Sequence, residues 1–401
     1  MMMVSSKTFS SLQFFTLFYI FTVAFASTEE AIALLKWKAT FKNQNNSVLA
    51  SWTPSSDACE DCMNYFSGTI PPEIGDLTNL VYLDLNFDQI SGTIPPQIGS
   101  LAKLQILRIF DNHLNGSIPE EIGYLRSLTK LSLGMNFLTG SIPASLGNLS
   151  NLSFLYLYDN HFSSSIPREI GYLRSLTDLH LGNNSLTGSI PASLGNLSNL
   201  SILVLFYNHF SGTIPEEIGN LRSLTVLALG RNFLSGSIPA SLGNLNNLSS
   251  MFLNDNNLKG KVPQCLGNIG GLQVLSMSSN SFSGEVPSSI SNLTSLQILD
   301  LGRNNLEGAI PQCFGNIISG LQVFDMQNNK LSGTLPTNFS IGSSLKSLNL
   351  HGNELEGRIP RSLSNCKKLQ VLDLGDNHLN DTFSHVVGSF DRAKSFKIDI
   401  E

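Results

Sequence analysis

"LRIFDNHLNGSIPEEIGYLRSLTK" fills residues 107–130 and returns, lightly edited, as "LSLGMNFLTGSIPASLGNLSNLSF" at 131–154 and "LYLYDNHFSSSIPREIGYLRSLTD" at 155–178. The period is 24 residues. One asparagine recurs at Asn112, Asn136, Asn160, Asn184, Asn208, Asn232, Asn256, Asn280 and Asn304, then at Asn329, Asn353 and Asn377. A single step of 25 comes from the extra residue in "NIISGL" (316–321). Asp88 holds that slot one unit before Asn112, and Asn64 holds it in a half-unit before that. Self-similarity at a fixed period of this size is the signature of a solenoid.

The unit reads L-x-L-x-x-N-x-L-[ST]-G-x-I-P-x-x-[LI]-G-x-L-x-x-L. L-x-L predicts a short strand with alternate side chains inward. Strands of successive coils would pair in parallel, about 4.8 Å apart. The asparagine ends the strand, and its amide carries both donors and an acceptor for the turning backbone. Glycine allows a tight turn, and Ile-Pro fixes the returning limb because proline sets φ. L-G-x-L predicts a short helical or 3₁₀ stretch on the far side. One coil cannot bury its leucines alone, whereas a stack makes a continuous core.

The unit resembles the plant-type extracellular leucine-rich repeat, and S-G-x-I-P is the part that carries the resemblance. It covers residues 64–383 in about thirteen units. It implies an α/β repeat solenoid: a right-handed superhelix with a parallel β-sheet on the concave face and an N-terminal helical cap. This repeat type occurs in receptor-like kinases, receptor-like proteins and small secreted inhibitors of cell-wall hydrolases. "TEEAIALLKWKATF" (28–41) is amphipathic, with Thr28 as N-cap and Leu34, Trp37 and Phe41 on the apolar side. With "LASWTPSSDAC" (49–59) it resembles the family's cap, shortened here to 27–63.

Family caps hold two cysteines several residues apart, commonly around a W-x-G-V stretch. Cys59 matches the first by context, the intervening stretch is absent, and Cys62 follows at once. Cys62 is therefore the second cap cysteine or a coincidence. The expected state is a local Cys59–Cys62 disulfide, formed in an oxidising compartment. A redox C-x-x-C needs a βαβ context that is missing. A zinc site needs four ligands, and neither a second C-x-x-C nor a nearby histidine is present. Cys265 and Cys313 share a coil position two coils apart, about 10 Å, too far to bridge. With Cys366 they read as structural thiols.

The N-terminus reads as a secretory signal. Lys7 precedes the apolar run Leu12 to Ala26, and Ala24-Phe25-Ala26 fits cleavage before Ser27. The run is shorter than the roughly 20 residues of a membrane span. No later stretch is apolar enough to span, which predicts an extracellular product, or one held at the cell surface through a partner or in full-length relatives. The tail "SHVVGSFDRAKSFKIDIE" (384–401) breaks the repeat, so the chain reads as a truncated relative of the receptors. Charged residues are 13% and the net charge is −6, with no basic stripe for nucleic acid.

No catalytic constellation is present: kinase motifs, a G-x-S-x-G elbow and a phosphate-cradling loop are all missing. Cofactors and metals are not expected. His113, His161, His209 and His378 each follow the ladder asparagine, a turn position. Binding is what remains. The x positions around L-x-L would line a concave surface. Arg108, Phe110, Phe154, Tyr156, Tyr158, Asp178, His180, Phe206 and Tyr207 gather there, and aromatic and charged groups are typical of binding hot spots. The competing reading is duplication: a 48-residue double unit would copy aromatics into every second coil, where they pack on one another.

The resemblance implies a peptide or protein ligand and a membrane-bound co-receptor as partners, and a role in defence or developmental signalling. Alternatives are an inhibitor of secreted cell-wall hydrolases and a non-functional fragment. Glycosylation sequons stand at Asn45, Asn115, Asn148, Asn151, Asn183, Asn196, Asn199, Asn247, Asn292, Asn338 and Asn380.

Overall fold

The structure is a computed structural model that describes residues 67–318 and 320–380, with the backbone of 395–397. The expected signal, the cap, Asn45, Asn64, Cys59 and Cys62 lie outside the described residues. Each L-x-L segment forms a three-residue strand, and these strands make one fourteen-stranded parallel sheet running from Tyr82–Asp84 to Ser395–Lys397. The register is the sequence period: Leu179 faces Leu203, and Leu203 faces Leu227. Parallel pairing follows from every coil entering the sheet from the same side.

The return limb also pairs. The [ST]-G segments form two further parallel sheets, of five strands (Ser67–Thr69 to His161–Phe162) and nine strands (Thr187–Gly188 to His378–Leu379). The gap falls where "SSSIP" replaces [ST]-G-x-I-P. Glycine holds the turn at φ near +75° elsewhere, as at Gly140 (81°) and Gly188 (76°), whereas Ser164 takes φ 68° there. A side chain in this region costs roughly 1–2 kcal/mol. Ser164→Gly is therefore expected to raise stability by about 0.5–1 kcal/mol, the strain relieved less the extra entropy of glycine. Denaturant midpoints of the two proteins check this; an unchanged or lower midpoint contradicts it.

On the convex side each coil makes a five-residue 3₁₀ turn such as Ala144–Asn148, entered from a proline. Among the described residues two successive coils depart from this form: in the coil with the extra residue Gln312–Phe314 leads into a short α-helical turn, Gly315–Ile318, and the coil after it forms no 3₁₀ turn between Lys330–Gly333 and Ser347–Asn349. Between the sheets and the turns lies one continuous core. A single coil supplies Leu155, Leu157, Phe162, Ile166, Ile170, Leu173 and Leu176, all essentially inaccessible.

The tail corrects one expectation. Residues 384–401 do not simply leave the array, because Ser395–Lys397 pairs in parallel with Val371–Asp373, again offset by 24. Phe396 pairs with Leu372, one period earlier in the sequence. The degenerate turn residues between them hid a further strand.

Candidate binding face

The ladder asparagines set the shape of the concave face by fixing where each strand ends. Asn184 accepts from the Phe162 amide of the previous coil at 3.0 Å. Its Nδ2 donates to the carbonyls of Leu157 at 3.1 Å, Leu181 at 3.1 Å and Gly182 at 3.2 Å. The same pattern repeats at Asn208 and Asn232. Each amide thus binds its own turn to the coil before it.

Side chains at the strand positions point into the concavity, since neighbouring leucines take the core side. Seven of the nine residues singled out above come together. Arg108 reaches back 24 residues to Asp84 at 3.4 Å and to the Tyr82 hydroxyl at 3.3 Å. Phe110 stands 5.2 Å edge-on to Phe87 and 5.8 Å from Tyr158. Tyr158 continues to Tyr156 at 6.4 Å, and Tyr156 to His180 at 4.6 Å and Phe154 at 6.0 Å. Lys130 sits over the Phe154 ring at 4.7 Å. Asp178 is held by the Thr177 hydroxyl at 2.6 Å.

Burial dominates the electrostatics of this slab. It pushes the Tyr156 and Tyr158 hydroxyls up to about 12, with nearby carboxylates adding to the shift. It also lowers the His180 imidazole, against the pull of Asp178. His180 is therefore neutral near pH 7 and has one acceptor nitrogen or donor N–H free at Nε2; that atom is buried without a partner.

The remaining two residues stand apart. Phe206 is 43% exposed and has no ring contact with the slab. Tyr207 is not on the strand face at all. It takes φ 57° in the turn just before Asn208, half exposed, with Arg231 5.7 Å over its ring. Arg231 and Arg303 occupy the same turn slot, each at φ 54°. Tyr82, Asp84, Phe87 and Lys130 were missed by sequence reading. The 24-residue offset could have found Asp84 and Lys130, which face Arg108 and Phe154 in the sheet.

The double repeat has a steric basis. The slot that holds Phe110, Tyr158 and Phe206 holds glycine in the coils between. A Cβ on Gly134 would lie 3.0 Å from the Tyr158 ring, and one on Gly182 2.8 Å from the Phe206 ring. Tyr158 and Phe206 thus lie across the bare backbone of the coil before them, which lets Tyr158 reach Phe110 two coils away.

The ten sequons within the described residues are all exposed. Asn151, Asn199 and Asn247 donate from Nδ2 to the carbonyls of Arg126, Arg174 and Arg222 at 3.0, 2.9 and 2.8 Å. A glycosylated amide keeps one N–H, so these bonds are compatible with modification. Asn183 donates to the Asp159 carboxylate. Cys265, Cys313 and Cys366 are free thiols. Among the described residues no helix is long and apolar enough to cross a membrane, and no group of side chains could hold a metal ion.

Comparison with known proteins agrees with this architecture. The family description "Leucine-rich repeat region" matches residues 136–281, and further leucine-rich-repeat descriptions match 79–101, 103–125, 271–293, 295–317 and 319–379. The "Leucine rich repeat N-terminal domain" matches 27–67. No curated protein sequence matches the chain. Among solved structures, the plant peptide hormone receptor RGFR1 in complex with RGF2 is 36% identical with a TM-score of 0.77, over 84% of this chain and 58% of that one. A TDR receptor is 32% identical with a TM-score of 0.68, over 84% and 66%. The Arabidopsis receptor kinase HAESA ectodomain, bound to an IDA peptide hormone, is 28% identical with a TM-score of 0.55, over 83% and 69%. The chain thus spans 58% of the length of the first of these. By its repeat, its register and these matches, the chain belongs to the leucine-rich-repeat family, with an array of the kind found in plant receptor ectodomains.

Proposed function

We propose that this chain is an extracellular or cell-surface recognition module that binds a peptide or protein ligand on the concave slab between Asp84 and His180, in defence or developmental signalling. The observation that carries the proposal is the ring train Phe110–Tyr158–Tyr156–His180, which ends on an unpartnered buried imidazole nitrogen. The half-buried rings offer a ligand rigid aromatic contact area on the concave face. The relatives solved with peptide hormones support a ligand of this class.

Peptides selected from a displayed random library on the wild-type chain provide the test. Tyr156→Ala with Tyr158→Ala is expected to weaken their binding about tenfold or more, the scale of an aromatic hot spot, with cooperative melting retained. Unchanged affinity counts against this face. Inhibition of a polygalacturonase in a depolymerisation assay, with no peptide binding, would favour the hydrolase-inhibitor reading instead.

A further inference from the structure

The lateral face made by the return strands has a chemistry of its own. Across seven coils, from residue 89 to 237, its outward positions hold no Asp, Glu, Lys or Arg; charge begins at Lys259 and Lys261. The slot after the ladder position holds exposed rings in five of these seven coils, His113, Phe137, His161, His209 and Phe233, with Gln89 at the start and Ser185 between His161 and His209. Their rings form two runs on either side of Ser185: His113 to Phe137 is 5.9 Å and Phe137 to His161 is 6.1 Å, and His209 stacks on Phe233 at 5.7 Å and 10°. Alternate residues of a strand share a face, so hydroxyls lie beside the rings: Thr139 and Ser141 next to Phe137, Ser235 and Ser237 next to Phe233. Farther along, Ser189, Thr213 and Ser237 line a groove of about 520 Å³, shared with Pro191, Pro215, Glu216 and Glu217.

We propose that this face binds an extended, uncharged polysaccharide. Exposed rings in a row suit the C–H faces of pyranose rings. Serine and threonine hydroxyls both donate and accept, as a sugar hydroxyl requires, and carboxylates such as Glu216 accept strongly from hydroxyls. An acidic polysaccharide would meet no cation along the strip and would be repelled by Glu216 and Glu217. A protein partner fits less well, because protein interfaces centre on a compact desolvated core within a rim. Here the groups repeat with the coil spacing of about 4.8 Å, which suits a ligand that is itself a repeat. Most sequons lie off the face: Asn148, Asn151, Asn196, Asn199, Asn247 and Asn292 are at the 3₁₀ turns and the turns after them, while Asn115 alone falls among the outward positions, beside Phe137, so that a glycan there would leave open the part of the face from Ser185 to Ser237. The inference uses a different surface from the concave slab and does not depend on it.

Calorimetric titration of the full secreted chain with cellohexaose, xylohexaose, laminarihexaose and hexagalacturonate is the test. At least one neutral hexasaccharide is expected to bind and hexagalacturonate is not. Phe137→Ala with Phe233→Ala is expected to weaken binding about tenfold, the scale of losing aromatic anchors. Thr213→Glu, which places a charge in the groove on an exposed side chain, serves as a second variant and should weaken it too, while Tyr156→Ala should not. The proposal is overturned if no neutral hexasaccharide binds, if the acidic one binds as tightly, or if binding survives both variants. Inhibition of ice growth by a chain that binds no sugar would overturn it as well, since a regular hydroxyl face can also adsorb to ice.

Discussion

Replacing Asn232 by leucine is expected to lower stability by about 3 kcal/mol, because each buried polar group left unpaired costs roughly 1–3 kcal/mol. Asn232 is only 6% exposed. Its Oδ1 accepts the Phe210 amide at 3.0 Å, and its Nδ2 reaches the carbonyls of Leu205, Leu229 and Gly230, each at 3.1 Å. Leucine has the same branched arrangement of four side-chain heavy atoms as asparagine, so the change removes the hydrogen bonding without opening a cavity. All three carbonyls keep a second partner: Gly230 the Tyr207 amide at 3.0 Å, Leu205 the Asn208 Nδ2 at 3.2 Å and Leu229 the Asn256 Nδ2 at 3.1 Å, so the cost falls mainly on the buried Phe210 N–H, with the thinned carbonyl pairing adding the rest. Urea unfolding gives the total. Hydrogen exchange at Phe210 gives the location, since this amide should exchange much faster than its counterparts at Leu186 and Leu258. A loss well under 1 kcal/mol, with Phe210 still protected, would falsify the ladder as the bond between coils.

Gly147→Ala is the second large effect. A Cβ at this position would lie 2.5 Å from the Glu169 carbonyl oxygen, 2.7 Å from Glu169 Cβ and 2.9 Å from its carbonyl carbon. Two of these are backbone atoms of the next coil and the Cβ is fixed by that backbone, so no rotamer change can move them aside. The expected loss is about 3 kcal/mol, the upper part of the range for overpacking. The same glycine recurs at Gly123, Gly171 and Gly219, with the same close approach. Serine takes the slot at Ser291, where the following coil carries the Gly315–Ile318 helical turn in place of the usual one, and at Ser364 in the last 3₁₀ turn described. Thermal melting compares Gly147→Ala with Gly270→Ala, whose Cβ would meet nothing within 4 Å. Equal melting temperatures for the two variants would show that the convex turns have room to spare.

Both predictions arise from one fact that a linear reading already contains. In a parallel stack without slippage, residue i and residue i+24 become neighbours, so a 24-residue period dictates which side chains form columns. L-x-L, the asparagine column and the glycine of the return turn could be read from spacing alone because each answers to a backbone need that recurs in every coil: an inward leucine, a satisfied turn, a positive φ. Even the widening at 316–321 was visible as one extra residue.

Contacts between columns were decided only by the tertiary structure. Sequence placed Tyr207 beside Phe206 on one face, but the backbone turns left-handed at Tyr207 and carries it to the rim. Arg108 stood among the candidate ligand contacts, and the structure lays it against Asp84 one coil away. Tyr158 meets Phe110 because Gly134 leaves its path open. A strand at Ser395–Lys397 emerged from a tail whose turn residues had lost the pattern. The reason is the same in each case. Period fixes the position of a Cα in the stack, whereas the direction of a side chain depends on the space its neighbours leave, and those neighbours are 24 or 48 residues away.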